Sequence, residues 1–226
     1  MPFVLVRRRT LPVPTLWGWL ILAAFFLGVA ALWLFEAESF LSLTQREPAD
    51  TLVVEAWIGF DGLSAARDEF VHGHYRYLVA AGGPSESPWD SRRWNYADEA
   101  HDFFIRQGLP ADDVITARQG ETRVQRTHAT AVAAREALAA RGLHPSAINV
   151  FTAGPHARRS RLIFAKVFRP GTKVGVVSWV PARRAEGPWW RSSIRSEDLV
   201  KETVGYLFEL LFSSGRWLGP SETQPR

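Results

Sequence analysis

The sequence predicts an α/β fold: a Rossmann-like, doubly wound, mainly parallel five-stranded sheet, preceded by one transmembrane helix. Three observations predict it. Short apolar, β-branched runs alternate with helical segments of about ten to twenty residues, the pattern of parallel strands joined by crossover helices. Glycine, proline or a capping residue punctuates most of the boundaries between them. Residues 16–35 read LWGWLILAAFFLGVAALWLF, twenty positions without a charge, the length needed to cross a bilayer core.

That apolar run carries Trp17, Trp19 and Trp33 near its ends, where indoles favour the headgroup layer. Arg7, Arg8 and Arg9 precede it, and Glu36 and Glu38 follow. The positive-inside rule then keeps residues 1–15 cytoplasmic, as a basic tail, and exports everything after the run. A cleaved signal peptide is the rival reading. Its apolar region would be unusually long, and its small-x-small site, Ala37-Glu38-Ser39, is weak. Arg8-Arg9-Thr10-Leu11 also faintly resembles a twin-arginine export signal, without the rest of that pattern. An uncleaved signal anchor over 16–35 is the expected reading, with residues 36–48 as a linker.

Residues 49–215 are expected to form one α/β domain. Asp50–Ile58 holds a buried first strand, and Asp61 is placed to cap a helix over Gly62–Gly73 with Leu63, Ala66, Phe70 and Val71 on one face. Tyr75–Ala81 is a second strand, stopped by Gly82-Gly83-Pro84. Ser85–Trp94, polar and rich in Pro and Trp, reads as a loop over one end of the sheet. Asn95 is placed to cap a helix that Gly108 and Pro110 stop. Val114–Ala117 is a short third strand. Thr122-x-x-Gln125 fits a capping box opening a long helix that ends at Gly142. Ala147–Thr152 is the fourth strand and Lys173–Val180 the fifth. Ser192–Phe212 closes the domain with Val200, Val204, Leu207 and Leu211 at helical spacing. Packing of this stripe on the sheet is expected, and a position on the membrane surface is the alternative. Residues 216–226 read as a flexible tail.

The net charge of +4 and pI near 9.8 mislead. Three of the 27 basic residues precede position 36 and none of the 23 acidic residues does, so the exported part balances to +1. That argues against a nucleic-acid partner. The absence of cysteine excludes zinc–thiolate chemistry and leaves the redox compartment open.

The densest chemical signal is Thr152-Ala-Gly-Pro-His-Ala-Arg-Arg-Ser160. A strand that breaks into a helix at glycine points backbone N–H groups, and the positive dipole end, at whatever sits there. Arg158 and Arg159 add rigid forks suited to phosphate or carboxylate oxygens, and His156 titrates near neutrality. Ligands of open α/β sheets bind beyond the carboxyl ends of the strands. That rule selects Glu55, Gly82, Gly83 and Thr152, with His156, Arg158 and Arg159 just beyond. At the start of the long helix it adds Arg126 and Thr127, with Arg123 and His128 nearby. A plain strand–helix junction with solvated arginines is the bland alternative, as is a structural ion pair for Glu55. Asp98, His101 and Asp102 share a helix face, and His72-Gly-His74 is a second histidine cluster. A polar surface explains both more simply than a metal. No G-x-S-x-G, P-loop or G-x-G-x-x-G is present.

Several blocks in order resemble the YdcF-like family of bacterial envelope proteins, which includes ElyC- and SanA-like members. They are Ala49-Asp-Thr-Leu-Val-Val-Glu-Ala-Trp57, Ala81-Gly-Gly-Pro84, Asp98-Glu-Ala100, Arg126-Thr127 with Ala129, and the Thr152–Ser160 block. The resemblance covers about residues 49–180. It departs at Glu55-Ala-Trp57, where many members have a glycine-rich turn, and at Arg126-Thr-His-Ala129, where many have Thr-x-x-Asn-Ala. It implies a Rossmann-like fold, residence in the bacterial inner membrane with the domain outside the cytoplasm, and a role in maintaining peptidoglycan precursors or their lipid carrier. The expected ligand is therefore a phosphorylated or otherwise anionic small molecule or lipid headgroup. In that reading His156 is general acid or base, Glu55 or Glu99 orients it or an arginine, and Gly82, Gly83, Arg126, Thr127, Thr152, Arg158, Arg159 and Ser160 form the binding set. If the chain is an enzyme, it is a hydrolase or transferase. A non-catalytic binding or scaffold module is the alternative. Binding of S-adenosylmethionine, linked to a soluble relative, requires the opposite topology. No cofactor is named.

Overall fold

The computed structural model describes residues 13–85, 94–122, 124–181 and 187–215. Arg7, Arg8 and Arg9, Arg123, the interior of the Ser85–Trp94 loop and the 216–226 tail lie outside the described residues. The chain divides into two compact units, Met1–Ala37 and Glu38–Arg226. The first contains most of helix α1 (Leu16–Leu41), which is long and apolar enough to cross a membrane, with a mean hydropathy of 2.3 and none of that window buried.

In the second unit the apolar runs become five strands: β1 (Thr51–Glu55), β2 (Tyr77–Gly82), β3 (Val114–Arg118), β4 (Ala147–Ala153) and β5 (Lys173–Trp179). They pair in the order β3-β2-β1-β4-β5, parallel throughout. Alternate residues of each strand face opposite sides, so continuous apolar runs demand cover on both. Val53, Val79, Ile115, Val150 and Val176 pack under α4 (Arg126–Ala140) and α5 (Ala157–Val167). Leu52, Val54, Leu78, Ala80 and Phe151 pack under α2 (Gly59–His72) and α3 (Tyr96–Arg106). The strand order reverses between β1 and β4, the topological switch at which such sheets take their ligands.

Three expectations are corrected. Asp61 does not cap α2. A 3-10 turn over Ala56–Ile58 leads straight out of β1, and Gly59, at φ 74°, lets the chain start α2 three residues earlier than expected. The capping box at Thr122 and Gln125 does not form either. Thr122 Oγ1 donates to the Val124 carbonyl at 2.8 Å. Gln125 sits in the left-handed region at φ 52° and accepts from the Gly215 amide at 2.7 Å instead. Asn95, by contrast, caps α3 as expected, accepting from Ala97 N at 2.9 Å.

The third correction concerns the last helix, α6 (Ser193–Leu211), capped by Ser192. The stripe Val200, Val204, Leu207 and Leu211 does not pack on the sheet: all four are exposed. The helix instead packs beside α5 and buries Arg195, Leu199, Glu202 and Glu209. Charge pairing decides its orientation. Arg195 pairs with Glu38, Glu202 with Arg159, and Glu209 with Lys166.

The linker read into residues 36–48 is partly built into the domain. Glu38–Leu41 form the last turn of α1, and Gln45 makes an antiparallel bridge to Val176. Both Glu47 backbone groups bond the Asn149 side chain, at 2.8 and 2.9 Å. This strap covers the exposed edge of β5, where unpaired N–H and C=O groups are otherwise an open template.

Candidate functional site

Glu55 is the last residue of β1 and is 1% exposed. A carboxylate there at the end of an apolar strand needs partners, and the neighbouring crossover supplies them. Gly154, at φ 44°, breaks β4 into a 3-10 turn that carries His156, and α5 follows with Arg159 and Ser160. Few residues other than glycine adopt that φ, so the turn that aims His156 depends on it.

Four ionisable side chains meet at this point. Ser160 Oγ donates to Glu55 Oε2 at 2.7 Å, and His156 Nε2 lies 3.5 Å from the same oxygen. His156 Nδ1 lies 3.0 Å from Glu202 Oε1, contributed by α6. Arg159 grips Glu202 with both prongs of its fork, Nε at 2.7 Å and Nη2 at 3.0 Å. Thr127 Oγ1 stands 3.4 Å from His156 Nε2 and 3.5 Å from Arg159 Nη1. Trp57 packs edge-on against the imidazole at 5.1 Å.

Burial works against every charge here, but pairing wins. Burial opposes the imidazolium, yet Glu55 and then Glu202 raise His156 to about 9. Glu55 is held below its ordinary value despite burial, first by the charge of His156 and then by its hydrogen bonds. Glu202 is likewise lowered, by His156 and Arg159 together. Arg159 Nη2 also stands 3.0 Å from His156 Nδ1. With the imidazole charged, that distance reflects two donors converging on Glu202 Oε1 rather than a bond between them. Thr152 Oγ1 is buried without a well-formed hydrogen bond, but lies close enough to help keep Glu55 charged. Two carboxylates against an imidazolium and a guanidinium leave the cluster neutral.

Above the cluster opens a cleft of about 460 Å³ at the carboxyl ends of the strands. Its floor includes Glu55, His156 and Arg159, and its walls carry Arg126, Lys201 and Gln119. Arg126 opens α4, so the positive dipole end of that helix lies at the same wall. Gln119 is buried and accepts from Thr130 Oγ1 at 2.5 Å.

Of the residues expected in the site, Glu55, Gly82, Gly83, Arg126, Thr127, His156 and Arg159 line this cleft. Thr152 and Ser160 lie beneath it, fully buried behind Glu55. Arg158 turns away: its Nε bonds the Phe40 carbonyl and its guanidinium sits 3.8 Å from the Phe40 ring. Glu99 lies on α3 and is not among the lining residues. Gly82 has a structural reason to be glycine, since a Cβ would come within 2.8 Å of Tyr96 Cβ. Asp98 is paired with Arg118 at 2.6 Å, and His101 with Asp102 at 3.3 Å.

Sequence reasoning missed Asp198, Lys201 and Glu202 of α6. A signal was present. Arg195, Glu202 and Glu209 recur every seventh position and so share the helix face opposite Val200, Val204, Leu207 and Leu211. No family model, curated protein or solved structure matches this chain.

Proposed function

We propose that this chain is a single-pass protein of the bacterial inner membrane, with its N-terminus cytoplasmic and its α/β domain outside, whose cleft binds a phosphate-bearing ligand such as a lipid-carrier headgroup. The observation that carries this reading is the placement of Arg126, Lys201 and the start of α4 around a cleft whose floor is the charge-balanced cluster of Glu55, His156, Arg159 and Glu202. Helix N-termini and basic forks together favour multiply charged oxyanions. Four of the five sequence blocks that resemble YdcF-like envelope proteins contribute residues to this same cleft, and the Asp98–Ala100 block does not. The apolar helix would hold it beside the membrane.

The division of labour differs from the one the sequence suggests. Arg159 is spent on Glu202, so anion contact falls to Arg126 and Lys201. His156, holding its proton to about 9, is a proton donor at neutral pH rather than a base. If the ligand is turned over, water adds to phosphorus, the bond to the leaving oxygen breaks, that oxygen takes the His156 proton, and the proton released by the attacking water restores the imidazolium. Glu55 and Glu202 orient the imidazole and stabilise it before donation.

A second reading, a binding module without turnover, is favoured by the fact that both ring nitrogens of His156 and the fork of Arg159 already face protein groups. Calorimetry of the full-length protein in detergent with inorganic pyrophosphate and a prenyl diphosphate, run beside a phosphate-release assay, separates these readings. Binding that the Arg126→Ala, Lys201→Ala double variant loses supports the cleft. Phosphate release abolished in His156→Gln supports catalysis, and binding with no release supports the module. Failure of the wild type to bind either compound sinks the phosphate reading.

A further inference from the structure

Helix α6 is amphipathic in the reverse sense to a helix seated on a protein core. Its inward face carries Arg195, Glu202 and Glu209, respectively 7%, 5% and 1% exposed. Its outward face carries Val200, Val204, Leu207 and Leu211, which are 59%, 62%, 51% and 74% exposed, with Phe208 and Phe212 alongside at 42% and 51%. The spacing of the four aliphatic residues makes one continuous stripe along the helix. Apolar patches of this kind on a monomer mark an interaction surface.

We infer that the outer face of α6 lies in the lipid interface, as a second membrane contact besides the apolar run of α1. Two connections favour lipid as the occupant. Arg195 pairs with Glu38, and Tyr206 packs edge-on against Phe40 at 5.8 Å. Glu38 lies three positions beyond Phe35 on the same helix, a rise of about 4.5 Å. The helix that exposes the stripe is therefore fastened to the point where the chain leaves its apolar run. The composition agrees: aliphatic and aromatic side chains fill the stripe, exposed Trp190 and Arg191 sit in the turn just before the helix, and Lys201 flanks it. Indole and basic side chains beside an apolar stripe are what an interfacial helix uses. Lys201 also lines the cleft, so docking through α6 sets the cleft mouth at headgroup level. This inference rests on the membrane anchor and not on the ligand reading.

The chain has no cysteine, which makes single-site labelling direct. Full-length Leu207→Cys, Leu27→Cys and Arg106→Cys, each carrying an environment-sensitive fluorophore, are reconstituted in phosphatidylcholine–phosphatidylglycerol vesicles. Quenching by spin-labelled lipid is then measured. Leu27 reports the anchor, and Arg106 is an exposed control on α3, across the sheet from α5. The expected result is about twofold quenching at Leu207 and at Leu27 and none at Arg106, as shallow insertion requires. Quenching at Leu27 without quenching at Leu207 overturns the inference and leaves the anchor standing; failure at both overturns both. A Leu207 probe shielded from water but not quenched by lipid, with energy transfer between labelled copies, also overturns it and assigns the stripe to a second copy of this chain.

Discussion

Glu202 Oε1 stands 3.0 Å from His156 Nδ1, and the same carboxylate takes both prongs of Arg159. One side chain from the last helix thus neutralises two cations presented by the β4–α5 junction. Removing its charge while keeping its shape, as in Glu202→Gln, leaves an imidazolium and a guanidinium buried with one fewer anion. Breaking such a pair from one side costs about 3–5 kcal/mol. The expected outcome is a lower urea midpoint with an unchanged slope. An unmoved midpoint would mean that the cluster contributes nothing to holding α6.

The same cluster gives the fold a pH window. Burial opposes the charge on His156, but Glu55 and Glu202 raise it from 6.5 to about 9. A raised histidine stabilises the fold fully below 6.5 and loses that contribution as pH climbs through 9, about 3 kcal/mol in all. The lowered Glu55 and Glu202 act at the other end. Their stabilisation is present above their ordinary value of 4.5 and is lost as pH falls below it. These shifts describe one interaction seen from its partners, so they do not add. Stability should therefore peak at about pH 5–6.5 and decline towards 9. Urea midpoints from pH 5 to 9.5 test this, with His156→Gln expected to lose the alkaline decline. A wild-type profile flat over that range would contradict it.

Much of this architecture is legible in the sequence because burial on both faces of a parallel sheet leaves continuous apolar runs such as Leu52–Val54 and Leu78–Ala81. The switch-point rule then places Glu55 and His156 together without knowledge of any contact. What the sequence hides is which charges face each other. Arg158 and Arg159 are adjacent and chemically identical, yet one turns to the Phe40 carbonyl and the other to Glu202. Helical geometry alone separates them by about 100°, and only the position of α6 says which direction faces the cleft. The helix itself misleads for the same reason. A stripe of Val200, Val204, Leu207 and Leu211 reads as a core face, but the buried ions on the opposite face set its orientation. The Thr122 capping box fails because Gln125 is drawn to the Gly215 amide, ninety residues away in the chain.

Arg159 and Arg126 should respond differently to alanine. Arg159 is largely buried and bound to Glu202, so Arg159→Ala should lower stability by about 3 kcal/mol. Arg126 and Lys201 are exposed at the cleft wall, so replacing either should change stability by no more than about 0.5 kcal/mol. Each should weaken pyrophosphate binding by about tenfold, the loss of one charged contact. Parallel urea melts and calorimetry read both quantities. Equal loss of affinity with no loss of stability in Arg159→Ala would return the anion contact to Arg159.

Asn149 and Gly175 are register partners across β4 and β5, and together they fix the strap over the sheet edge. Asn149 is 1% exposed, bonds both Glu47 backbone groups, and donates to Tyr75 Oη at 3.0 Å. Gly175 leaves the room for this. A Cβ there would lie 2.0 Å from Asn149 Oδ1, 2.6 Å from Glu47 N and 2.7 Å from the Gln45 carbonyl oxygen. Two of those three atoms are backbone, so a methyl group cannot be accommodated by a side-chain turn. Gly175→Ala should displace the strap at a cost of about 1–3 kcal/mol. Asn149→Leu should cost about 2 kcal/mol by leaving Glu47 unpaired. Hydrogen exchange locates the effect. The Gln45 amide, bonded to the Val176 carbonyl at 2.8 Å, should lose protection in both variants while amides of β1 and β2 keep theirs. Protection at Gln45 that survives Gly175→Ala would show that the strap is held from elsewhere, and that the glycine is not there to make way for it.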